Sequence, residues 1–436
     1  MLERCPVLAW AASGAMALTG YPDGEPVMSP APALALLGWV TDQLAEATLA
    51  TGNPVRADPA VLLTARAALA GFTRHGRISL GGAARLLRAA DGWCAVTLSR
   101  TDDIAAVPAI LAGLGVDGPE PTGIEQAWNA IEAAAFASPA EELATAVQSL
   151  GVPAAALPQS APLPGSSPWP PWQVTRISAP SPAGRLAGAV IADLSSMWAG
   201  PLCARLLGLA GARVIKVETP DRPDGARTGN RRFFDWLHAG HQSLLADFRT
   251  PSGRAALAAL LTTADVVIEA SRPRALANLG LAPETIPHKD GQVWLSITGY
   301  GRAEPGQVAF GDDAAVAGGL VGWAGVPGQA EDEPVFCADA IADPLTGVCG
   351  ALAVARSLAE GGGQLIDISL RGVAASFAAA PPLDHGPHYV RPDGTVSCPQ
   401  SKRDHAVLPP RCPEPAGRSA QLGADTDAVL GWLATC

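Results

Sequence analysis

From residue 186 onward, short apolar runs alternate with segments that carry apolar residues at helical spacing. This alternation constrains the fold more than any other feature of the chain. Strands are predicted over residues 189–194, 213–218, 265–269, 292–297 and 364–370, and helices over 199–211 and 251–264 and from Asp343 onward. Apolar strands that are separated by helices form a parallel sheet covered on both faces. The pattern therefore predicts a doubly wound, Rossmann-like α/β domain.

Ligands of such sheets bind beyond the carboxyl ends of the strands. The segments at those ends are residues 193–198, 218–220, 270–272 and 298–300. No GxGxxG follows the first strand, so the dinucleotide-binding fingerprint is absent. We therefore expect this edge of the sheet to bind a ligand other than a dinucleotide.

Asp343 precedes a helix of small residues, a glycine turn at 361–363 and the last predicted strand. Small residues over 347–355 let another backbone pack closely against that helix. An acid in the first turn of a helix is favoured by the helix dipole, which is one interpretation of Asp343. The other interpretation is a carboxylate nucleophile. These residues alone leave both open.

A chain of 436 residues is expected to hold two domains. Residues 1–151 predict a small, mostly helical domain, with helices over 33–49, 59–72 and 123–136 and a short sheet that includes 92–98. Residues 152–185 are rich in Pro, Ala and Ser, a composition that predicts a linker between the two domains. Residues 186–436 are then the large α/β domain with a C-terminal tail.

The net charge, the apolar runs and the cysteine pattern bear on which ligands, partners and compartment we expect. The net charge of −11 argues against nucleic acid, and no apolar run is long enough to predict a membrane span. The eight cysteines are scattered without a CxxC pair, which predicts free thiols in a reducing compartment, without a metal site. We therefore expect a cytoplasmic enzyme.

Five segments of the predicted large domain stand in an order that is found in a known family. They read Leu-Ala-Gly-Ala-Val-Ile-Ala-Asp-Leu-Ser at 186–195, Gly-Ala-Arg-Val-Ile-Lys-Val-Glu-Thr-Pro at 211–220, Ala-Asp-Val-Val-Ile-Glu at 264–269, Ser-Ile-Thr-Gly-Tyr-Gly at 296–301 and Gly-Gln-Leu-Ile-Asp-Ile-Ser-Leu at 363–370. Together they resemble the class III CoA-transferase family, also called the CaiB/BaiF family. Its members include formyl-CoA and carnitine CoA-transferases and α-methylacyl-CoA racemase.

The resemblance implies that Asp343 is the catalytic aspartate, with Asp339 as its competitor. Coenzyme A would enter as an acyl-CoA thioester, the second substrate would be a small carboxylic acid, and the protein would be a homodimer. In the implied reaction, a carboxylate attacks the thioester to give a mixed anhydride, and CoA thiolate then forms an enzyme-bound thioester that the acceptor acid opens. Backbone N–H groups at the helix start would stabilise the oxyanions.

The same resemblance suggests where CoA would be bound. Met197, Trp198, Thr219 and Ala270 lie on the expected rim of the sheet, and the cations that could contact phosphate are Arg249, Arg272 and Arg274. Two motifs depart from the family, because His241-Gln242-Ser243 and Ala270-Ser271 replace its usual residues. A solvated side chain is the alternative for each arginine.

Two other functions stay open at this stage. The racemase branch uses a His/Asp pair, but the corresponding loop has no histidine and offers Asp312 and Asp313 instead. These two are either a substitute acid–base pair or solvated loop acids. The third possibility is a non-catalytic relative that binds acyl-CoA.

A weak internal repeat relates the N-terminal segment to the stretch before Asp343. Residues 12–20 and 25–27 resemble residues 317–325 and 333–335, and the repeat aligns Ala35 with Asp343. We interpret residues 1–151 as a degenerate copy without the acid, followed by a small-domain equivalent that the family carries after its last strand. Chance similarity in a chain rich in Ala and Gly is the alternative.

Overall fold

A computed structural model describes residues 5–116, 120–160, 162–182, 184–325, 331–381, 386–414 and 417–436. Up to residue 156 the chain is mostly helical and has one short antiparallel sheet in the order β1-β2-β3. Its elements are α1 (Pro6–Ser13), a 3₁₀ turn (Met16–Leu18), α2 (Pro32–Thr51), α3 (Pro59–Ala70), β1 (Ala84–Arg88), β2 (Trp93–Thr97), α4 (Thr101–Ala105), α5 (Val107–Gly113), α6 (Ile124–Ala137), α7 (Ala140–Ser149) and β3 (Ala154–Ala156). The helices predicted over 33–49, 59–72 and 123–136 are confirmed.

After residue 171 the chain alternates between strands and helices. The elements that build this part are β4 (Trp172–Arg176), β5 (Val190–Asp193), α8 (Ala199–Leu209), β6 (Arg213–Glu218), α9 (Ala226–Gly229), α10 (Arg231–His238), β7 (Gln242–Leu245), α11 (Pro251–Thr263), β8 (Val266–Glu269), α12 (Pro273–Asn278), β9 (Val293–Thr298), α13 (Gly311–Ala317), β10 (Gly322–Ala324), β11 (Glu333–Val335), α14 (Ala342–Ala359), β12 (Gln364–Ser369), α15 (Leu370–Ala378), β13 (Tyr389–Val390), β14 (Val396–Cys398), β15 (Arg403–His405) and α16 (Thr426–Leu433).

The main sheet of the described chain has seven strands in the order β4-β12-β9-β8-β5-β6-β7. Neighbouring strands from β12 to β7 are parallel, and β4 pairs with β12 in the antiparallel direction. The chain enters at β5, adds β6 and β7 on one side, and then places β8, β9 and β12 on the other. Strand order thus reverses between β5 and β8, which is where such sheets form a ligand crevice.

Helices cover both faces of this sheet. Successive side chains of a strand point to opposite faces, so each strand contributes residues to two separate cores. Ile191 and Leu295 belong to a buried cluster with residues of α8 and α14. Their neighbours Ala192 and Trp294 belong to a second cluster with residues of α11 and α16. The predicted α/β architecture with a parallel sheet is therefore confirmed.

Two strands of the main sheet were not predicted from the sequence. Strand β7 contains Gln242 and Ser243 among only four residues, so it lacks an apolar run. Strand β4 lies in the predicted linker, and its residues are partly or fully exposed because it is the edge of the sheet. An exposed edge strand has no apolar alternation from which to recognise it.

The N-terminal segment packs in two different ways. Helix α2 lies against α14, and its residues Leu37 and Leu44 are buried in the same cluster as Leu352. Residues 84–156 have a separate core around Trp128 and Leu143. The division of the chain at residues 151 and 185 stays a prediction.

The helices of the N-terminal segment follow the order that the internal repeat would require. Helices α1 and α2 correspond to α13 and α14, and Ala35 lies near the start of α2 as Asp343 does in α14. Helices α2 and α14 pack against each other, and Val27 shares a small apolar cluster with Val335, its partner in the repeat. The interpretation of residues 1–151 as a degenerate copy stays a hypothesis that these packing contacts support.

Helix α14 is central to the fold because its small residues allow close approach on several sides. A Cβ atom on Gly347 would lie 2.6 Å from the carbonyl oxygen of Ala199 in α8, closer than non-bonded atoms can pack. Gly361, Gly362 and Gly363 follow with φ angles of +97°, +65° and +73°, which favour glycine. The predicted close packing and glycine turn are thus both present.

We predict that Gly347→Ala lowers the free energy of unfolding by about 1–3 kcal/mol, because the added methyl group forces α8 and α14 apart. Urea denaturation measures the change. Gly431→Ala is the matched control: Gly431 lies in α16 with no atom within 4 Å of an added Cβ, and we expect a gain of roughly 0.5–1 kcal/mol. Equal stability of Gly347→Ala and the wild type would contradict this packing.

Candidate functional site

Asp343 lies in the first turn of α14 and is surrounded by protein while keeping partial exposure. Gly311, at the start of α13, lies beside its carboxylate, and the Gly311 N–H group favours the ionised form of that carboxyl. A Cβ atom on Gly311 would lie 2.5 Å from Asp343 Oδ2, so only glycine fits beside the carboxylate. The starts of α13 and α14 therefore meet at this carboxylate.

Asp339, the competing candidate, is held in a buried ion pair. It is 1% exposed, and Arg66 Nε donates to its Oδ2 at 2.8 Å while Arg66 Nη2 bonds to Oδ1. The flanking Ala338 and Ala340 have φ angles of +52° and +41°, a strained region for residues with a side chain. Asp339 thus forms an ion pair with Arg66, whereas Asp343 forms no ion pair with any of the described residues.

Arg66 comes from α3, and sequence reasoning missed it as a site residue. Its guanidinium lies 4.9 Å from the ring centroid of Trp198, which is buried. The positive charge also favours ionisation of Asp312 and Asp343. The available signal was a lone arginine within the otherwise apolar run that forms α3.

Several acids are crowded around this arginine. The pKa of Asp343 is raised to about 7, chiefly by burial, and the carboxyls of Asp312 and Asp339 contribute to this rise while Arg66 opposes it. Burial likewise raises the pKa of Asp312 to about 7, with Asp339 adding to the effect. These carboxyl groups therefore exchange protons near neutral pH.

Asp312 and Asp313 are not solvated loop acids, so that interpretation is wrong. Both lie in the first turn of α13, and Asp313 is fully buried. Asp313 accepts hydrogen bonds from the Thr97 hydroxyl at 3.0 Å and from the Phe310 N–H at 3.2 Å. Burial raises its pKa to about 8. Asp313 thus joins β2 to the start of α13, while Asp312 is the acid of this pair whose charge acts on Asp343.

The start of α14 offers fewer N–H donors than the sequence-based account requires. The N–H of Asp343 already donates to the carbonyl of Ala340 at 2.9 Å, and that of Leu345 donates to Ile341 at 3.4 Å. Pro344 has no N–H group. An oxyanion at this site would therefore need other donors than these three residues.

The predicted CoA-contacting residues divide into exposed and buried ones. Met197 is 46% exposed and has a φ angle of +73°, whereas Trp198 is buried against Arg66. Thr219 and Ala270 follow strands β6 and β8 at the carboxyl edge of the sheet and are accessible. Met197 and Ala270 thus flank the point at which the strand order reverses.

A buried lysine holds the loop that carries Met197. Lys216 Nζ lies 3.0 Å from Asp224 Oδ2 and 3.9 Å from Asp193 Oδ2. Asp224 Oδ1 accepts from the Met197 N–H at 3.2 Å. This network also went unrecognised in the sequence, although a lysine in the middle of an apolar strand was a usable signal.

The three predicted phosphate contacts differ in their availability. Arg249 is engaged by Asp247, to which its Nε and Nη2 donate at 2.9 Å. Arg272 donates to the Gly151 carbonyl at 3.0 Å, and Arg274 is exposed. Burial lowers the pKa of Arg272, and the charges of Arg274, Arg100 and Arg222 lower it further. Arg272 and Arg274 thus lie in a cationic cluster that could accept an anion.

A cleft and a cluster of cysteine and histidine side chains lie outside the region around Asp343. A cleft of about 590 Å³ lies between the N-terminal segment and the C-terminal tail, lined among others by Arg74 and Asp393, and Asp343 is not part of its lining. The side chains of Cys5, His388 and Cys398, which are scattered in the sequence, come together in space, and all eight cysteines are free thiols as predicted. No helix of the described ranges combines the length and apolar character needed to cross a membrane.

Comparisons with known proteins match the C-terminal part of the chain. Residues 186–412, slightly more than half of the chain, match the model of CoA-transferase family III. The succinate–glutarate CoA-transferase of Agrobacterium fabrum is 32% identical in an alignment of 212 positions that covers 44% of this chain and 53% of that protein. The human succinyl-CoA:glutarate CoA-transferase is 32% identical in an alignment of 200 positions that covers 42% of this chain and 45% of that protein.

Among solved structures, a CAIB/BAIF family protein from Brucella suis aligns with a TM-score of 0.39 and 29% identity, covering 45% of this chain and 55% of that one. The chain spans about half the length of the curated relatives it matches. The family model covers more than half of the sequence and includes Asp343 and both strand ends that flank the reversal of strand order. The chain therefore belongs to CoA-transferase family III.

Proposed function

We propose that this protein transfers CoA from an acyl-CoA thioester to a small carboxylic acid, with Asp343 as the nucleophile. The observation that carries the proposal is the contrast between two neighbouring acids. Asp339 is sealed and bound by Arg66, whereas Asp343 is partly exposed and has no ion pair of its own among the described residues. A nucleophile needs an accessible, uncommitted oxygen, and of these two acids Asp343 meets that requirement and Asp339 does not.

The proposed reaction begins when a carboxylate oxygen of Asp343 attacks the thioester carbonyl. The C–S bond breaks, giving an aspartyl anhydride and CoA thiolate, and the thiolate then attacks the aspartyl carbonyl to release the first acid. The acceptor carboxylate opens the resulting aspartyl-CoA thioester by the same two steps in reverse, which regenerates Asp343. Splitting the exchange in this way replaces one difficult step by several easier ones.

We assign the CoA-binding region from the positions of positive charge, and the acceptor acid from the names of the relatives. The cluster that contains Arg272 and Arg274 supplies cations beside the carboxyl end of β8, and phosphate groups of CoA are the anions we propose for it. Arg249 is already paired with Asp247 and would have to exchange partners to contribute. Two relatives are named for succinate and glutarate transfer, so small dicarboxylic acids are the first acceptors to test. A homodimer, implied by the resemblance, is part of the proposal, and sedimentation equilibrium tests it.

We predict that incubation with succinyl-CoA followed by hydroxylamine modifies Asp343 alone. Hydroxylamine attacks the aspartyl carbonyl of both proposed intermediates, the anhydride and the CoA thioester. Peptide mass spectrometry locates the modification. Asp343→Asn should abolish it and lower the transfer rate by at least about a hundredfold, whereas Asp427→Asn, which alters an exposed first-turn acid of α16, should change neither. If a panel of acyl-CoA esters gives no adduct while CoA still binds, the protein is a binding relative and the proposal fails.

The raised pKa of Asp343 predicts a pH-dependent stability. Between about pH 4 and pH 7 the unfolded chain loses this proton while the folded chain keeps it, so the free energy of unfolding falls as pH rises. Asp343→Asn removes this ionisation and should be more stable than the wild type by about 1–3 kcal/mol at pH 8, with a smaller difference at pH 4. Urea denaturation at both values measures it. A difference that does not change with pH would contradict the assigned pKa.

Arg66 is proposed as a positioning residue that keeps Asp343 ionised. Arg66→Met removes a nearby positive charge, so the midpoint of the pH profile of kcat/KM should rise by about one unit or more. Arg66→Lys keeps the charge but loses the bidentate contact with Asp339, and should shift the midpoint less. Arg56→Met, an exposed arginine of the same segment, is the control. A loss of activity with an unmoved midpoint would indicate a purely structural role.

A second function, α-proton transfer on acyl-CoA, is favoured by a second carboxyl group, Asp312, whose charge acts on Asp343. The pKa of each carboxyl group is raised to about 7, so near neutral pH one can hold a proton while the other accepts one. Incubation in deuterated water separates the two functions. Deuterium at the α-carbon without exchange of CoA between acids would favour proton transfer, and CoA exchange without deuterium would favour the transferase.

A further inference from the structure

Two cysteines and a histidine from distant parts of the chain meet at the junction of the two chain ends. Cys5 precedes helix α1, His388 precedes strand β13, and Cys398 ends strand β14. Their Sγ, Nε2 and Sγ atoms lie within 4.8 Å of one another, and Cys5 Sγ is 3.0 Å from His388 Nε2. We propose that Cys5, His388 and Cys398 bind a Zn²⁺ ion.

The spacing of the three atoms suits a tetrahedral ion. Zinc lies about 2.3 Å from thiolate sulfur and about 2.0–2.1 Å from imidazole nitrogen, so ligand atoms around one ion are separated by about 3.5–3.8 Å. The 3.0 Å contact is slightly shorter than this range, and the 4.8 Å limit lies above it. Small side-chain rotations therefore suffice to bring all three atoms into the coordination sphere.

The position of Cys5 supports a metal-bound thiolate. Cys5 is the N-cap residue of α1, so it lies at the positive end of that helix's dipole. A helix N-terminus stabilises the negative charge of a thiolate ligand.

A tight turn follows Cys398. The N–H of Lys402 donates to the carbonyl of Pro399 at 3.2 Å, and Lys402 has a φ angle of +53°, which is uncommon for a residue with a side chain. The Ser401 hydroxyl donates to the carbonyl of Cys398 at 3.3 Å, so the turn is tied to the residue that carries the sulfur.

Donor chemistry and burial point to zinc rather than to a harder cation. Two thiolates and one imidazole are a known zinc-binding set, whereas Mg²⁺ and Ca²⁺ prefer oxygen ligands. Both cysteines are fully buried and His388 is partly exposed, so an ion can enter from the histidine side. Three protein ligands leave a fourth position, which water occupies in open zinc sites.

Binding would tie the beginning of the chain to its C-terminal sheet. Helix α1 packs against β14, and the ion would add three bonds across that contact. Zn²⁺ displaces the two thiol protons to solvent, and because the unfolded chain has no such site, the bound ion stabilises the folded form. This inference is independent of the proposed transferase activity.

Metal content of the full-length protein tests the site. We expect about one zinc per chain after dialysis, as measured by elemental mass spectrometry, and loss of that zinc in Cys5→Ser, Cys398→Ser and His388→Gln. Cys412→Ser is the matched control, since Cys412 is an exposed cysteine outside the cluster and should retain full occupancy. Zinc content equal to that of the wild type in all three ligand variants would overturn the proposal.

A second measurement guards against variants that fail to fold. Wild-type protein stripped with a chelator should regain a higher melting temperature with Zn²⁺, and Co²⁺ should give a thiolate-to-cobalt charge-transfer band that Cys5→Ser lacks. Reduced, folded wild-type protein that takes up neither ion would overturn the proposal. So would a Cys5–Cys398 disulfide whose reduction leaves the protein unable to bind metal.

Discussion

A buried ion pair between Arg66 and Asp339 joins the N-terminal helices to the start of α14, and the geometry of the candidate site depends on it. Removing one partner of such a pair leaves the other charge buried and costs about 3–5 kcal/mol. Arg66 lies outside the residues that the family model matches, whereas Asp339 and Asp343 lie inside them. The N-terminal segment is thus part of the site rather than an appendage to it.

The electrostatics of the site follow from one cation among several acids. Arg66 bonds directly to Asp339, and its positive charge also acts on Asp312 and Asp343. Asp339 repels both of these acids, and both are partly shielded from water. Burial and repulsion raise their pKa values, and the arginine limits the rise. The result is a pair of carboxyl groups that change charge near neutral pH, which suits either a nucleophile or a proton-transfer residue.

Close packing sets the positions of these groups. Gly311 and Gly347 each lie where a side chain would collide with a neighbour, so the starts of α13 and α14 and the face of α8 approach at distances that only glycine permits. The left-handed backbone of Ala338 and Ala340 turns Asp339 towards Arg66. Strain and close contact are therefore concentrated around the acids, as is common at functional sites.

The sequence by itself determined the parallel α/β sheet, the small-residue helix and the position of Asp343 at its start. These depend on apolar periodicity and on local residue preferences, which can be read over a few neighbouring residues. Only the tertiary structure decided that Arg66 binds Asp339, that the charge of Asp312 acts on Asp343, and that Cys5 lies beside Cys398. Those contacts join residues separated by up to several hundred positions, and no local pattern encodes which distant side chains the packed helices will bring together.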